Sequence, residues 1–216
     1  MLCLIDHYYV CKRYKGDKVE IQYIKVNNLK ESILASGLPM SNSLEFNPNE
    51  HELTDNDIKR AKKLAKVKTG TGHDCFLKGI NTFMVITAPL YWWKQFDRYA
   101  FQDTVSSTST MHKLLEMEFD KIFSDRVYPD TLAKLEEDKE LYLYWKDIDK
   151  NKATNIWDRL ISNIPEDVLY TRAITTNYLQ LKTMYFQRKN HKLKEWKYFC
   201  EVINELPGFK ELITNE

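Results

Sequence analysis

Residues 79–98 read GINTFMVITAPLYWWKQFDR. Residues 79–90 form the strongest strand pattern in the chain, and Pro89 ends it, because proline cannot donate to a ladder. From Leu90 the apolar residues adopt helical spacing, so LYWWKQFDRYAF (90–101) predicts an aromatic helix entered directly from a strand. The uncharged core of this stretch, GINTFMVITAPLYWW, holds 15 residues, too few for a membrane span. It reads instead as a buried strand feeding a buried helix.

Working outward, VEIQYIKV (19–26) predicts a second strand, rich in β-branched and aromatic residues. NNLKESILASG (27–37) predicts a short helix with an Asn cap and a closing glycine. Residues 38–54 carry Pro, Ser and Asn and read as a loop or flap, and the next helix is capped by Thr54 or Asp55. Beyond the aromatic helix, Thr104 and the unbroken run Ser106–Thr110 form a hydroxyl-rich tract, read as a polar loop or a phosphate-contacting loop. STMHKLLEMEFDKIF (109–123) predicts a helix, as do residues 128–148, which begin with Pro and Asp. Residues 152–164 add another helix. PEDVLYTRAI (165–174) reads as a short helix interrupted near TTN. A long helix is expected from Asn177 to about Asn190, and a last one in KLKEWKYFCEVINELPG (192–208). A few early strands and a helix-rich C-terminal half indicate an α+β fold in a single domain, residues 1–216.

Composition narrows the function classes. The chain has 216 residues, 43% of them hydrophobic and 13% aromatic, enough for a sizeable core. Its net charge of +1 provides no global field for nucleic acid. A local basic tract, 182–197, could still contact an oligonucleotide, although such tracts are commonly solvated helix faces. Cys3, Cys11, Cys75 and Cys200 form no CxxC and no zinc spacing, so free thiols in a reducing cytoplasm, and no metal, are expected. The N-terminus lacks the pattern of a signal peptide. No GxSxG, Walker or dinucleotide fingerprint is present.

Three patches carry chemistry. Gln95 and Arg98 lie one helical turn apart among aromatics; a Gln can read a pyrimidine edge and an Arg can neutralise phosphate. An Arg98 paired with Asp97 or another carboxylate and a surface Gln95 fit the same residues. Asn177 and Arg188 are 11 residues apart, three turns or about 16 Å along one helix face, a span that suits a long polar ligand. An N-cap Asn and a surface Arg satisfy that spacing equally. His73, in TGTGHDC, precedes the strong strand and could stack on or hydrogen-bond a ligand; a surface histidine fits as well.

Together these patches resemble the flavin-dependent thymidylate synthase (ThyX) family. The resemblance rests on GHDCFLKGINTFMVITAPLYWWKQFDR and on NYLQLKTMYFQRKNHKLKEW, and covers about residues 19–35, 72–115 and 164–206. Residues 116–163 do not align. It implies a mixed or antiparallel sheet flanked by helices and a homotetramer with sites formed between subunits. It also implies reductive methylation of dUMP using FAD, NAD(P)H (NADPH) and methylenetetrahydrofolate. By position, His73, Tyr99 and Asn177 resemble flavin contacts. Gln95, Arg98, Thr108 and Arg172 resemble nucleotide contacts, and Arg188 resembles the arginine that binds and orients the pyrimidine base. The family's Arg-His-Arg is here Arg98-Tyr99-Ala100, its loop serine is Thr108, a following arginine is Thr110, and a glutamate before the strand is Lys78. These departures leave a second reading, a catalytically degenerate flavin- or nucleotide-binding protein on the same scaffold.

Overall fold

The structure is a computed structural model that describes residues 8–10, 14–15 and 18–215. Cys3 and Cys11 therefore lie outside the described residues. Among the described residues, six strands form one sheet: β1 Tyr8–Val10, β2 Tyr14–Lys15, β3 Glu20–Asn27, β4 Asn81–Pro89, β5 Gln102–Ser107 and β6 Leu169–Asn177. The spatial order is β1-β3-β4-β6-β5, with β2 also paired to β3, and every pairing is antiparallel.

The 79–98 reading holds in its strand. β4 pairs residue for residue with β6, from Asn81 opposite Asn177 to Pro89 opposite Leu169. Thr82, Met84, Ile86 and Ala88 are buried while Phe83, Val85 and Thr87 are half-buried, the period-2 signature of a sheet covered on one face. β3 breaks its own alternation: Ile21 and Ile24 are both buried although three residues apart. A bulge between Ile21 and Tyr23 inserts the extra residue that allows both to face the core.

Helix α1 spans Leu29–Ala35 and α2 Asp55–Ala65. The expected Asn cap of α1 is not made: Asn28 adopts a left-handed φ of 63° and its side chain caps nothing. Thr54 does cap α2, in a reciprocal box with Asp57 that satisfies two free N–H groups at the helix start. The aromatic helix α3 covers only Leu90–Phe96. Its chain turns at Asp97–Ala100 and enters β5, so the helix expected through Phe101 ends early.

Two further expectations are corrected. The hydroxyl tract is not all loop: Gln102–Ser107 is edge strand β5, with a bulge between Thr104 and Ser106. It is exposed along nearly its whole length, so no hydrophobic alternation marks it. PEDVLYTRAI is not a helix: residues 169–177 form β6, a central strand flanked by β4 and β5. Pro165, Glu166 and Asp167 mimic a helix start, but Asp167 accepts hydrogen bonds from Lys18 and from the Ser124 backbone (2.8 Å) instead of capping a helix. STMHKLLEMEFDKIF is likewise fragmented, into α4 Thr110–Lys113, a 3₁₀ turn Leu114–Glu116 and α5 Phe119–Ile122.

The remaining α-helices among the described residues are α6 Pro129–Trp145, α7 Lys150–Ser162, α8 Tyr178–Arg188 and α9 Lys194–Asn204. The main core joins the covered face of the sheet to α1, α3, α8 and α9 through Ile24, Met84, Ile86, Trp92, Phe96, Trp196 and Phe199. Residues 114–168 build a smaller core of their own around Leu114, Phe119, Phe123, Leu135, Leu160 and Val168. Tyr170 packs against both cores and joins them.

Candidate functional site

Helix α3 is the spine of the site. It is held between β6 on one side and α8 with α9 on the other by aromatic packing. Trp92 lies 4.8 Å from Trp196 and 5.0 Å from Phe96 between ring centroids, and Phe96 stacks on Trp196 at 6.2 Å. The Trp93 indole donates to the Tyr170 carbonyl (3.1 Å), which locks α3 onto β6. Such packing holds the polar residues of the same helix and its closing turn in fixed positions.

On the α8–α9 side, three of the candidate residues meet. Arg188 Nε donates to the Tyr99 hydroxyl (2.8 Å) and Arg188 Nη1 donates to Gln95 Oε1 (3.2 Å). The Trp196 indole donates to the same Gln95 oxygen at 3.0 Å. Two donors on one atom fix the amide's orientation, so the Gln95 NH₂ points away from them. The Tyr99 hydroxyl in turn donates to Gln187 Oε1 (3.1 Å). The Arg188 guanidinium also lies over the Trp196 ring at 4.8 Å. Two of its five N–H groups are engaged here, which leaves three and the Gln95 amide as a donor-rich patch. Neighbouring His191 accepts the Leu193 N–H (3.1 Å); burial first, then Arg188 and Lys192, push its pKa below the usual value, so it stays neutral at pH 7.

On the β6 side lies a second patch. Arg172 donates to Asp97 Oδ1 (2.8 Å), and its guanidinium sits 4.5 Å from the Trp93 ring centre. Thr108 joins the adjacent strand: its N–H donates to the Thr171 carbonyl (2.9 Å) and its hydroxyl accepts the Thr171 N–H (3.1 Å). That hydroxyl keeps its own hydrogen to donate. Arg98 is exposed beside this turn. Trp93 and Asp97 are four residues apart, as are Gln95 and Tyr99. A two-residue offset turns about 200° around a helix, so Arg172 and Arg188 flank opposite sides of α3.

The other two candidates lie elsewhere. Asn177 is the N-cap of α8, and its side-chain oxygen accepts the Gln180 N–H (3.0 Å). This is the capping alternative to a ligand-facing Asn. His73 is exposed in the loop before β4, next to buried Asp74. Tyr99 is only 8% exposed, with its ring packed edge-on to Phe96 and Trp196. Within this chain it braces Arg188 and leaves no open face for a second ring to stack on. Thr110, where the family pattern has an arginine, is buried and bonded to the Tyr170 hydroxyl (2.9 Å), whereas Ala100 is exposed.

The sequence did not single out Trp196 or Gln187 as site partners, and Asp97, read as a partner for Arg98, is bonded by Arg172. Trp196 is one apolar residue in an amphipathic helix, and only the fold brings its indole to Gln95. The basic tract 182–197 is not a uniform cationic face. Lys182 is buried in an ion pair and Arg188 is tied into the site. Among the described residues, no group of three or more His, Cys, Asp or Glu is arranged to hold a metal, and no helix is long and apolar enough to cross a membrane.

No family model matches the chain, and no curated protein matches it in sequence. Solved structures do match in fold. Thymidylate synthase X (ThyX) from Helicobacter pylori, solved with FAD and dUMP, superposes with a TM-score of 0.57 at 16% identity, covering 91% of this chain and 97% of that chain. A second structure of flavin-dependent thymidylate synthase ThyX from the same organism, complexed with FAD and dUMP, gives 0.56 at 16% identity and covers 91% and 98%. At that identity the likeness is one of fold.

Proposed function

We propose that this chain is a flavin-dependent thymidylate synthase-like protein. In this reading it binds FAD and dUMP and reductively methylates the pyrimidine with NADPH and methylenetetrahydrofolate as co-substrates. The observation that carries the reading is the Arg188–Gln95–Tyr99–Trp196 network, found on a ThyX-like fold.

The donor set suits a pyrimidine. Three open guanidinium N–H groups and the Gln95 amide offer hydrogen bonds to ring carbonyls and to a ring nitrogen that gains negative charge. Charge-assisted bonds to such a group are the strong ones. Arg188 would therefore hold the base and draw electron density towards its carbonyl edge, with Tyr99 and Gln95 keeping the guanidinium in place. Arg172, Arg98 and the Thr108 hydroxyl would meet the phosphate.

For the flavin, exposed His73 offers an imidazole able to stack or hydrogen-bond, so this part of the donor set fits FAD. Tyr99 does not fit as a stacking partner within one chain, and its role moves to bracing Arg188. When bound, FAD would supply the reducing electrons. The two arginines flank opposite sides of α3, and His73 lies apart from both. This arrangement supports a site completed by neighbouring copies, as in a homotetramer.

Thr110 and Ala100 favour the second reading, a scaffold that binds flavin and nucleotide without turnover. Thr110 is engaged with Tyr170 and Ala100 carries no functional group, so neither adds a cation to Arg172, Arg98 and the Thr108 hydroxyl on the phosphate side. Visible spectroscopy separates the readings. The protein is expected to take up FAD, shift the flavin band on addition of dUMP, and form dTMP when NADPH and methylenetetrahydrofolate are present. A dUMP-dependent shift without dTMP selects the second reading. No uptake of FAD and no response to dUMP sinks both.

A further inference from the structure

Outside the two patches, one buried charge pair joins the loop that carries His73 to helix α8. The side chains of Lys182 and Asp74 are 6% and 1% exposed. Lys182 Nζ donates to Asp74 Oδ2 (2.7 Å) and also to the Val67 carbonyl (2.7 Å). One ammonium thus holds both ends of the loop 67–74. Between those ends, residues 68–73 are all exposed, so no core side chain anchors them. Gly70 and Gly72 adopt left-handed φ values of 98° and 85°, which let the short loop reverse. The backbone bonds inside the loop are long, 3.3 Å for Thr71 N–H to Lys68 O and 3.3 Å for Cys75 N–H to Gly72 O. The Thr71 hydroxyl donates to the same Lys68 carbonyl at 3.0 Å, a bond that stays within the loop. The loop's placement therefore depends on Lys182.

A buried ion pair is a poor choice for stability alone. Desolvating both charges offsets most of their attraction, and two packed apolar side chains often serve as well. What the pair contributes, and an apolar pair would not, is direction, because the ammonium must face both the Asp74 carboxylate and the Val67 carbonyl at once.

We propose that Lys182 is a positioning residue. Through Asp74 and Val67 it fixes the His73 loop to α8, the helix that ends in Arg188, so the cofactor-side loop and the base-side helix keep one relative placement. Six residues separate Lys182 from Arg188, about 9 Å along the helix and about 120° around it, so Lys182 acts without touching the base. The role in cofactor placement rests on the function proposed above; the pinning itself does not.

The test uses the full chain. Lys182→Met alone strands the Asp74 carboxylate and can fail to fold. The decisive variant is therefore K182M/D74L, in which both charges are replaced by apolar groups. It is expected to keep a melting temperature within a few degrees of wild type while amide exchange of residues 68–75 accelerates about tenfold or more. FAD affinity is expected to fall about tenfold, and adding His73→Ala should not deepen the loss, because a displaced His73 has little left to contribute. Unchanged exchange in the double variant overturns the pin. Faster exchange with unchanged FAD affinity, or a full additional loss from His73→Ala, overturns the positioning role while leaving the flavin reading intact. Wild-type protein that takes up no FAD overturns the flavin reading and the positioning role with it, even where the exchange data show a pinned loop.

Discussion

Arg188 owes its orientation to two oxygen atoms, those of Gln95 on α3 and of Tyr99 in the turn that follows it. Tyr99→Phe removes one of them and keeps the buried ring. The fold should lose only about 1 kcal/mol, while dUMP affinity should fall about tenfold as the guanidinium loses its brace, measured by calorimetric titration beside a thermal melt. Equal affinity for both proteins would remove Tyr99 from the site. The cysteines give a separate residue-scale test. Burial, followed by the nearby Glu201 charge, pushes the Cys200 thiol up to about 12, whereas Cys75 is exposed. At pH 8, alkylation followed by peptide mass spectrometry should mark Cys75 within minutes and Cys200 only after unfolding. Early labelling of Cys200 would contradict the packing of α9 against α8. Residue types were legible at this scale and partners were not: Gln95 reads in sequence with Arg98, one turn on, yet the fold gives it Arg188 and Trp196.

Among the elements, the long helical excursion 114–168 is tied back to the sheet at its edges. Lys18, just before β3, bonds both Ser124 and Asp167, with side chains 5% exposed for Lys18 and 12% for Asp167. Burial alone would raise the Asp167 pKa, but the Lys18 and Ser124 hydrogen bonds outweigh it and hold the carboxyl below its usual value. The native state thus keeps this group ionised where the unfolded chain takes up a proton. Its contribution is complete above the ordinary carboxylate range and is lost progressively as pH falls below that range through the lowered folded-state value. Lys18→Met should cost about 3–5 kcal/mol near pH 7, as expected for a broken buried pair. The gap from wild type should narrow below about pH 4, where Asp167 can neutralise. Denaturant titrations at pH 7 and pH 3.5 measure both, and a gap constant with pH would show that Asp167 is not the partner that matters.

Legibility differed among the elements for physical reasons. β4 was readable because one of its faces is covered and alternation survives in Thr82, Met84, Ile86 and Ala88. β5 was not, because an exposed edge strand of Thr and Ser carries no alternation. β6 was misread because Pro165–Asp167 imitate a helix start. Its strand character comes from pairing on both edges, which no local pattern records. Thr54 was legible as a cap because capping is local chemistry.

At the scale of the whole molecule, the proposed function places nucleotide recognition at the Arg188 patch and has neighbouring copies complete it. Light scattering of purified protein should give the mass of four chains, and a monomer that still binds both ligands would remove the shared-site argument. The central claim is tested most directly by isothermal titration of dUMP into FAD-loaded wild-type protein and its Arg188→Met variant. Loss of charge-assisted bonds worth about 1.5–3 kcal/mol corresponds to affinity weakened by roughly ten- to 150-fold. Wild-type protein that binds dUMP while the variant binds at least about tenfold more weakly is the predicted result. Equal binding by the two proteins, or none by the wild type, would contradict it.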